Sequence, residues 1–432
     1  MTVEDLAHTA REGGCPSSTP SGCQYSAPGT PMRPMDRPKT LAACVATAAA
    51  LCTVAAIAVR QRGQFSLDRA LACSDADWDT TILTWKALAV HANVRDLGQW
   101  HSERHCPSRF ARWRPAAFGN VSAGDVVFLR SESLGKWQRE VLPKISTSTP
   151  FILVTAGPNI RVTEVLSPRD LRRVLSHPAL VGLWAQNADA DDAKLHSLPI
   201  GLSFNRATHA QLVQGFALPH LLRPWGLMTT QLSTGREHAS LLQLIATLPP
   251  TRKRKLAAWC DFQFDGDNPV RLAIWTQLRS SPETAAATIG PLASLAKHEI
   301  FATKAQYMFD ISPPGHGIDC FRTWEALALG MIPIVLRSGT PLDELLRELP
   351  VVLVASFSEV TLPQLRVWAR EIEERRQRKA WGVVRVPVPT GPSPPPGSSV
   401  ATAPQTIEVP AQVTTAYWLQ TWRRALANHK VG

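Results

Sequence analysis

The sequence predicts an α/β chain with two parallel-sheet domains behind one N-terminal apolar segment. Three observations predict it. Residues 307–335 read YMFDISPPGHGIDCFRTWEALALGMIPIV: a strand, a glycine-bearing loop, a helix and a second strand. That order is a βαβ unit and implies parallel strands. Upstream, strand-length apolar runs alternate with helical segments between Val126 and Leu202. Near the start, Leu41–Val59 (LAACVATAAALCTVAAIAV) is a run of about 19 apolar or small residues without charge, long enough to span a bilayer.

The chain has 432 residues, room for two domains and a sizeable core. Its 44% hydrophobic and 19% charged content is that of an ordinary folded protein. The formal net charge of +11 favours an acidic partner: nucleotide phosphates, acidic glycans or an anionic surface. No zinc-finger spacing and no aromatic-interleaved RNA motif accompanies that charge, so a nucleic-acid partner is not expected. Arg375–Lys379 closes a helix and reads as a solvated face. Arg252–Lys255 reads either as a solvated turn or as a phosphate-attracting rim.

Taken in order, residues 1–40 are rich in Pro, Gly, Ser and Thr and predict a disordered tail. Residues 41–59 predict a transmembrane anchor; a buried Ala-rich helix is the plain alternative. Arg33, Arg37 and Lys39 precede the segment and Arg60, Arg62 and Arg69 follow it, a balance that sets no orientation. One anchor with nearly all the mass after it implies a type II arrangement. The sequon Asn120-Val121-Ser122 agrees with a lumenal body. Cys73, Cys106, Cys260 and Cys320 would then be lumenal and could form two disulfides, with Cys73–Cys106 the preferred pair.

Residues 60–119 read as a stem, in which Asp77–Val94 could be an amphipathic helix. Residues 120–250 form the first α/β domain, with strands at Val126–Leu129, Phe151–Thr155 and Leu180–Trp184 and a helix at Leu171–Leu175. Gln211–Leu248 reads as mostly helical. Residues 251–385 form the second α/β domain: a strand at Leu256–Trp259, a helix at Val270–Leu278, then the βαβ unit. A short helix at Leu342–Leu346, a strand at Val351–Val354 and a helix at Leu362–Arg378 complete it. Residues 386–410 are a Pro/Ser/Thr-rich insert, extended and mobile by composition. Residues 411–432 carry a final helix, Thr414–Ala427.

The loop of the βαβ unit has the chemistry of an anion site. Gly315 and Gly317 allow close backbone approach and positive φ. The loop feeds a helix N-terminus, where free N–H groups and the dipole favour phosphate. Asp319 is the expected N-cap and Gly330 the expected helix stop. Arg322 and Glu325 share one helix face; such an Arg can grip phosphate in a bidentate fork, and the Glu can accept from sugar hydroxyls. The plain alternative is an ordinary βαβ loop with a surface Arg–Glu pair. Neither the phosphate-loop lysine motif nor G-x-G-x-x-G is present, so this is no ATPase or dinucleotide signature. Gln186 and Asn187 stand just past a strand end, where open α/β sheets place ligands, although Asn there often serves only the turn.

The run Ser312-Pro313-Pro314-Gly315-x-Gly317-x-Asp319-x-x-Arg322-Thr323-Trp324-Glu325-Ala326-Leu327, then Gly330-Met331-Ile332-Pro333-Ile334-Val335, resembles the C-terminal nucleotide-sugar half of the exostosin-like glycosyltransferases. Leu342-Asp343, Leu349-Pro350-Val351 and Glu359-Val360-Thr361 continue it, so the resemblance covers roughly residues 300–380. Trp184-x-Gln186-Asn187, Lys194-Leu195 and Leu198-Pro199-Ile200-Gly201-Leu202 are similar to the preceding half of related proteins.

The resemblance implies two Rossmann-like domains of the GT-B type and a C-terminal helix that crosses back to the first. It also implies a Golgi membrane location, with the catalytic part lumenal. The donor would be a nucleotide sugar, a UDP-sugar in exostosin-like enzymes, and the acceptor a glycan or glycoprotein. Ser312, Gly315, Gly317, Asp319, Arg322 and Glu325 would bind the donor, and Gln186 and Asn187 the acceptor. No metal or other cofactor is needed, because Arg322 and the helix N-terminus stabilise the diphosphate. His316 and Asp319 could hydrogen-bond the donor. Asp261 reads better as a turn residue than as a base, so no base is assigned.

Two other classes stay open. A metal-dependent GT-A enzyme would use Asp265-x-Asp267, although Asp75-x-Asp77 and Asp189-x-Asp191 show how common that pattern is. A membrane-anchored glycan-binding protein would keep the glycine loop without turning over a sugar.

Overall fold

The computed structural model describes residues 80–95, 113, 115–157, 159–203, 234–262, 269–290, 297–389 and 405–429. They build two five-stranded sheets, each wholly parallel, and one small antiparallel hairpin.

The first sheet runs β1 (Val94–Arg95), β2 (Asp125–Arg130), β3 (Phe151–Ala156), β4 (Leu180–Ala185) and β5 (Leu195–Ser197), in that spatial order. Right-handed crossovers that always advance in one direction put every connecting helix on the same face. The connecting helices α2 (Leu134–Glu140), α3 (Val162–Val165) and α4 (Pro168–Leu175) accordingly pack together on Val127, Leu129, Leu153 and Leu183. The opposite face would be bare. It is covered by α1 (Trp85–Val90) and by the last helix of the chain, described below.

In the second sheet the direction of winding reverses. Its strands are β6 (Lys255–Trp259), β7 (Thr288–Ile289), β8 (Tyr307–Ile311), β9 (Ile332–Leu336) and β10 (Val352–Val354), ordered β10-β9-β8-β6-β7. The chain steps from β6 to β7, then returns past β6 to β8, which makes the gap between β6 and β8 a topological switch point. The helices change face with it. After α5 (Thr234–Thr247) come α6 (Pro269–Ser280) and α7 (Pro282–Ala287), with α6 on one face. The helices α8 (Lys297–Lys304), α9 (Phe321–Ala328) and α10 (Pro341–Arg347) lie on the other, and α11 (Leu362–Gln377) returns to the first.

Local chemistry sets the helix starts. Ser167, Ser281, Thr340, Thr361 and Thr414 each accept a backbone N–H of the first turn, and proline follows within two residues in the first four. Gly330, at φ 69°, stops α9 as expected.

Strand β11 (Val383–Pro387) pairs antiparallel with β12 (Thr406–Pro410). The ends of the insert at 386–410 are therefore an ordered hairpin, a correction to its expected mobility; residues 390–404 lie outside the described ones. The last helix, α12 (Thr415–Asn428), returns to the first sheet. Its Trp418 and Trp422 pack with Val126, Phe128, Ile152 and Val154 on the face the crossovers leave open. Leu83 N–H donates to Val413 O and Thr415 N–H to Thr81 O, stitching this return to the segment ahead of α1.

Three more expectations change. Residues 82–95, assigned to a stem, supply α1 and the edge strand β1, so the first sheet begins inside that region. The helix expected over Asp77–Val94 is only Trp85–Val90. Cys260 and Cys320 are buried and free, so they do not form a second disulfide. Cys73 and Cys106 lie outside the described residues, as do the tail and the segment at 41–59. Among the described residues no helix is long and apolar enough to cross a membrane.

Candidate functional site

The carboxyl ends of β6 and β8 flank the switch point, the position at which open α/β sheets receive ligands. Five charged side chains converge there. Asp310 is in β8, with its neighbours Phe309 and Ile311 in the opposite core, so the alternation of the strand turns it toward α8 and α9. Lys304, the last residue of α8, is wholly buried. Its ammonium pairs with Asp310 at 2.9 Å and reaches Glu325 of α9 at 3.8 Å. Asp261, two residues past β6, accepts from Arg322 Nε at 2.8 Å.

This cluster holds two cations and three carboxylates. Burial works against the Lys304 ammonium, but Asp310, Asp261 and Glu325 outweigh it and hold the lysine above its usual range. Burial likewise opposes charge on Asp261, yet Lys304 and Arg322 keep it below the usual carboxyl range. Burial pushes Asp310 up to about 7, against the pull of Lys304, and its Oδ1 has no hydrogen-bond partner among the described residues. Of Asp310 and Asp261, Asp310 is therefore the one that takes a proton first. Arg322 and Glu325, each about one-seventh exposed at the side chain (16% and 14%), are the members that meet solvent most, and Asp261 follows at 8%.

The glycine loop sits above this cluster. Neither Gly315 nor Gly317 adopts positive φ. Close approach is the reason for glycine at 317: a Cβ there would stand 2.5 Å from Asn187 Oδ1. Beside Gly315, Arg271 of α6 donates from Nε to Pro314 O at 3.2 Å. Its Nη2 lies 3.4 Å from the place of a Gly315 Cβ, a second guanidinium at the loop. His316 is exposed at the loop tip.

Several of the expected ligand residues have hydrogen-bond partners within the chain. Asp319 is not the N-cap of α9; Cys320 is, and its side chain makes no capping bond. The Asp319 carboxylate accepts from Ile200 N (2.8 Å), Cys320 N (2.7 Å) and the Trp324 indole, all in buried surroundings. Burial raises it to about 6 despite these donors. Ser312 is buried and shares a hydrogen bond with Thr323 Oγ1 at 2.7 Å. Gln186 is wholly buried; it accepts from Gly157 N and donates to Pro199 O, holding its own loop together. Asn187, at φ 55°, accepts the Asp319 N–H at 3.0 Å. Asn187 and Asp319 thus join the loops of the two sheets.

The sequence motif identified Arg322 and Glu325 but not their partners. Asp261, Lys304, Asp310 and Arg271 carry no signature, and only the strand-end positions of Asp261 and Asp310 could have pointed to them. Arg254, read as a possible phosphate rim, is buried and donates to Leu329 O at 2.8 Å, closing the end of α9. Asp265 and Asp267 lie outside the described residues. Fold and site together define an α/β chain of two parallel sheets with a charged cluster at the switch point of the second. No protein-family model and no curated protein matches the chain.

Proposed function

We propose that the chain is a glycosyltransferase of the two-domain GT-B kind, exostosin-like in its second domain. It takes a nucleotide-sugar donor, a UDP-sugar, and passes the sugar to a hydroxyl of a glycan or glycoprotein. The observation that carries this reading is Arg322 and Glu325 on the first turns of α9, at the switch point of a parallel sheet.

In transfer, the acceptor oxygen bonds to the anomeric carbon, the bond to the diphosphate oxygen breaks, and the acceptor proton leaves to a base. The leaving diphosphate gathers negative charge, and fixed cations there lower the barrier. Arg322, tethered through Nε to Asp261, offers its outer nitrogens, and Arg271 offers a second guanidinium beside Gly315. Glu325, held within reach of Lys304, accepts from ribose hydroxyls. Asp261 acts as the anchor of Arg322, and no base is assigned. In this proposal side chains supply the positive charge, residues 41–59 anchor the chain in the Golgi membrane, and the sheets are lumenal.

The test is nucleotide binding by the full chain, since a ligand selective for the folded state raises its stability. UDP is expected to raise the melting temperature with a chelator present. Arg322→Ala and Glu325→Ala are expected to lower transfer by about tenfold or more while the protein stays folded. A shift that requires manganese would move the donor site to Asp265 and Asp267. A folded chain that responds to no nucleotide would overturn the enzyme in favour of a non-catalytic glycan-binding protein.

A further inference from the structure

A second basic site lies away from the switch point, along the outer strand of the same sheet. Arg337 follows β9, Arg347 ends α10, and Arg375 belongs to the last turn of α11. These three elements bring the three arginines to the lining of one groove of about 400 Å³, together with Val351 and Leu353 of the β10 segment. No carboxylate lines it. The side chains of Arg337 and Arg347 pair with no acid among the described residues.

Arg375 is preorganised. Its Nη2 donates to Arg347 O (2.6 Å) and Leu349 O (3.0 Å), and its guanidinium lies 5.5 Å from the centre of the Trp381 ring. Burial and the nearby Arg378 weigh against its charge more than Glu371 supports it, and hold it below the usual guanidinium range. An anion would relieve that opposition.

Charged side chains beside an edge strand also deter strand addition. That role needs mobile charges on the edge. It does not explain why one of the three is fixed by two carbonyls and an indole at the wall of a concavity. The volume falls within the range of small-molecule clefts, which begin at about 300 Å³.

We propose that this groove binds a phosphate or sulfate ester of a small sugar, with the three arginines on the oxyanion and Val351 and Leu353 under the carbon skeleton. Guanidinium forks match tetrahedral oxyanions, and the apolar floor separates an ester from a bare ion. The site is independent of the donor cleft, and its fate does not depend on the transferase reading.

The test is calorimetric titration of the full chain at low salt with inorganic phosphate, inorganic sulfate, glucose 6-phosphate and glucose 6-sulfate. One ester should saturate a single site and bind more tightly than its inorganic ion. Each guanidinium contact is worth about tenfold in affinity, so Arg337→Gln with Arg347→Gln should weaken that ester about a hundredfold. Both arginines are exposed, so the double variant is expected to fold; circular dichroism checks it. Arg322→Ala should leave the ester untouched. Ester binding that survives the double substitution, or that Arg322→Ala abolishes, would overturn the site. So would an ester that binds no better than its ion, or the absence of saturable binding.

Discussion

Gly317 has no side chain because Asn187 occupies the place where one would stand. Its backbone is not left-handed, so the constraint is packing against the other domain. Gly317→Ala should displace the Asn187 side chain and break its bond to the Asp319 N–H. The expected loss is about 1–3 kcal/mol, the scale of overpacking a tight contact. Asn187→Ala in the same chain removes the obstacle, so the alanine at 317 should cost much less in that background. A double-mutant cycle by urea denaturation measures the difference. Equal costs in both backgrounds would show that the contact does not matter. The glycine itself was legible in the motif, but its partner was not, because a packing contact between distant loops leaves no local pattern. The same holds around Arg322. The motif showed the arginine and Glu325, whereas Asp261, Lys304 and Asp310 come from three other segments that only the fold brings together.

Elements were the most readable level, for a physical reason. A strand buried on both faces is a continuous apolar run, and β2, β3, β4, β6 and β9 stand out that way, as does β8 apart from Asp310. What stayed hidden were elements defined by their partners: β1, two residues long, and the hairpin β11–β12, whose ends meet across an insert that composition alone marks as extended. The C-terminal helix was expected from its pattern, and its destination only from resemblance. The topology supplies the cause, since sequential strand order leaves one face of the first sheet without a crossover helix. Trp422, 1% exposed, fills that face in α12. Trp422→Ala should lower stability by about 3–5 kcal/mol. Trp422→Phe should lose far less, because the indole N–H has no partner among the described residues to give up. Denaturant midpoints at constant slope separate the two; similar losses would mean the indole N–H is satisfied in a way the structure lacks.

At the scale of the whole molecule, two sheets of opposite winding habit divide the work. The sequential sheet has no switch point, whereas the reversed one does, and the charged cluster forms there. Asp319 is where the two are joined, with its carboxylate on Ile200 N and its N–H on Asn187. The joint carries a pH signature whose sign is fixed. Burial raises Asp319 to about 6, so between the ordinary carboxyl range near 4 and that value the folded state binds more protons than the unfolded chain. Stability from this group is therefore full below about pH 4 and declines through about pH 6, then levels off. Asp319→Asn cannot titrate, but it loses one acceptor oxygen and turns an amide toward donors. That should cost about 1–3 kcal/mol at pH 7. Other carboxylates shift the absolute curve, Asp261 in the opposite direction, so the informative quantity is the difference between parent and variant. That difference should be largest near pH 4 and fall by on the order of 2 kcal/mol by pH 7. Urea denaturation across this range measures it. A difference that is flat or grows with pH would mean that Asp319 ionises easily in place, and that the joint between the sheets is wetter than its 4% exposure implies.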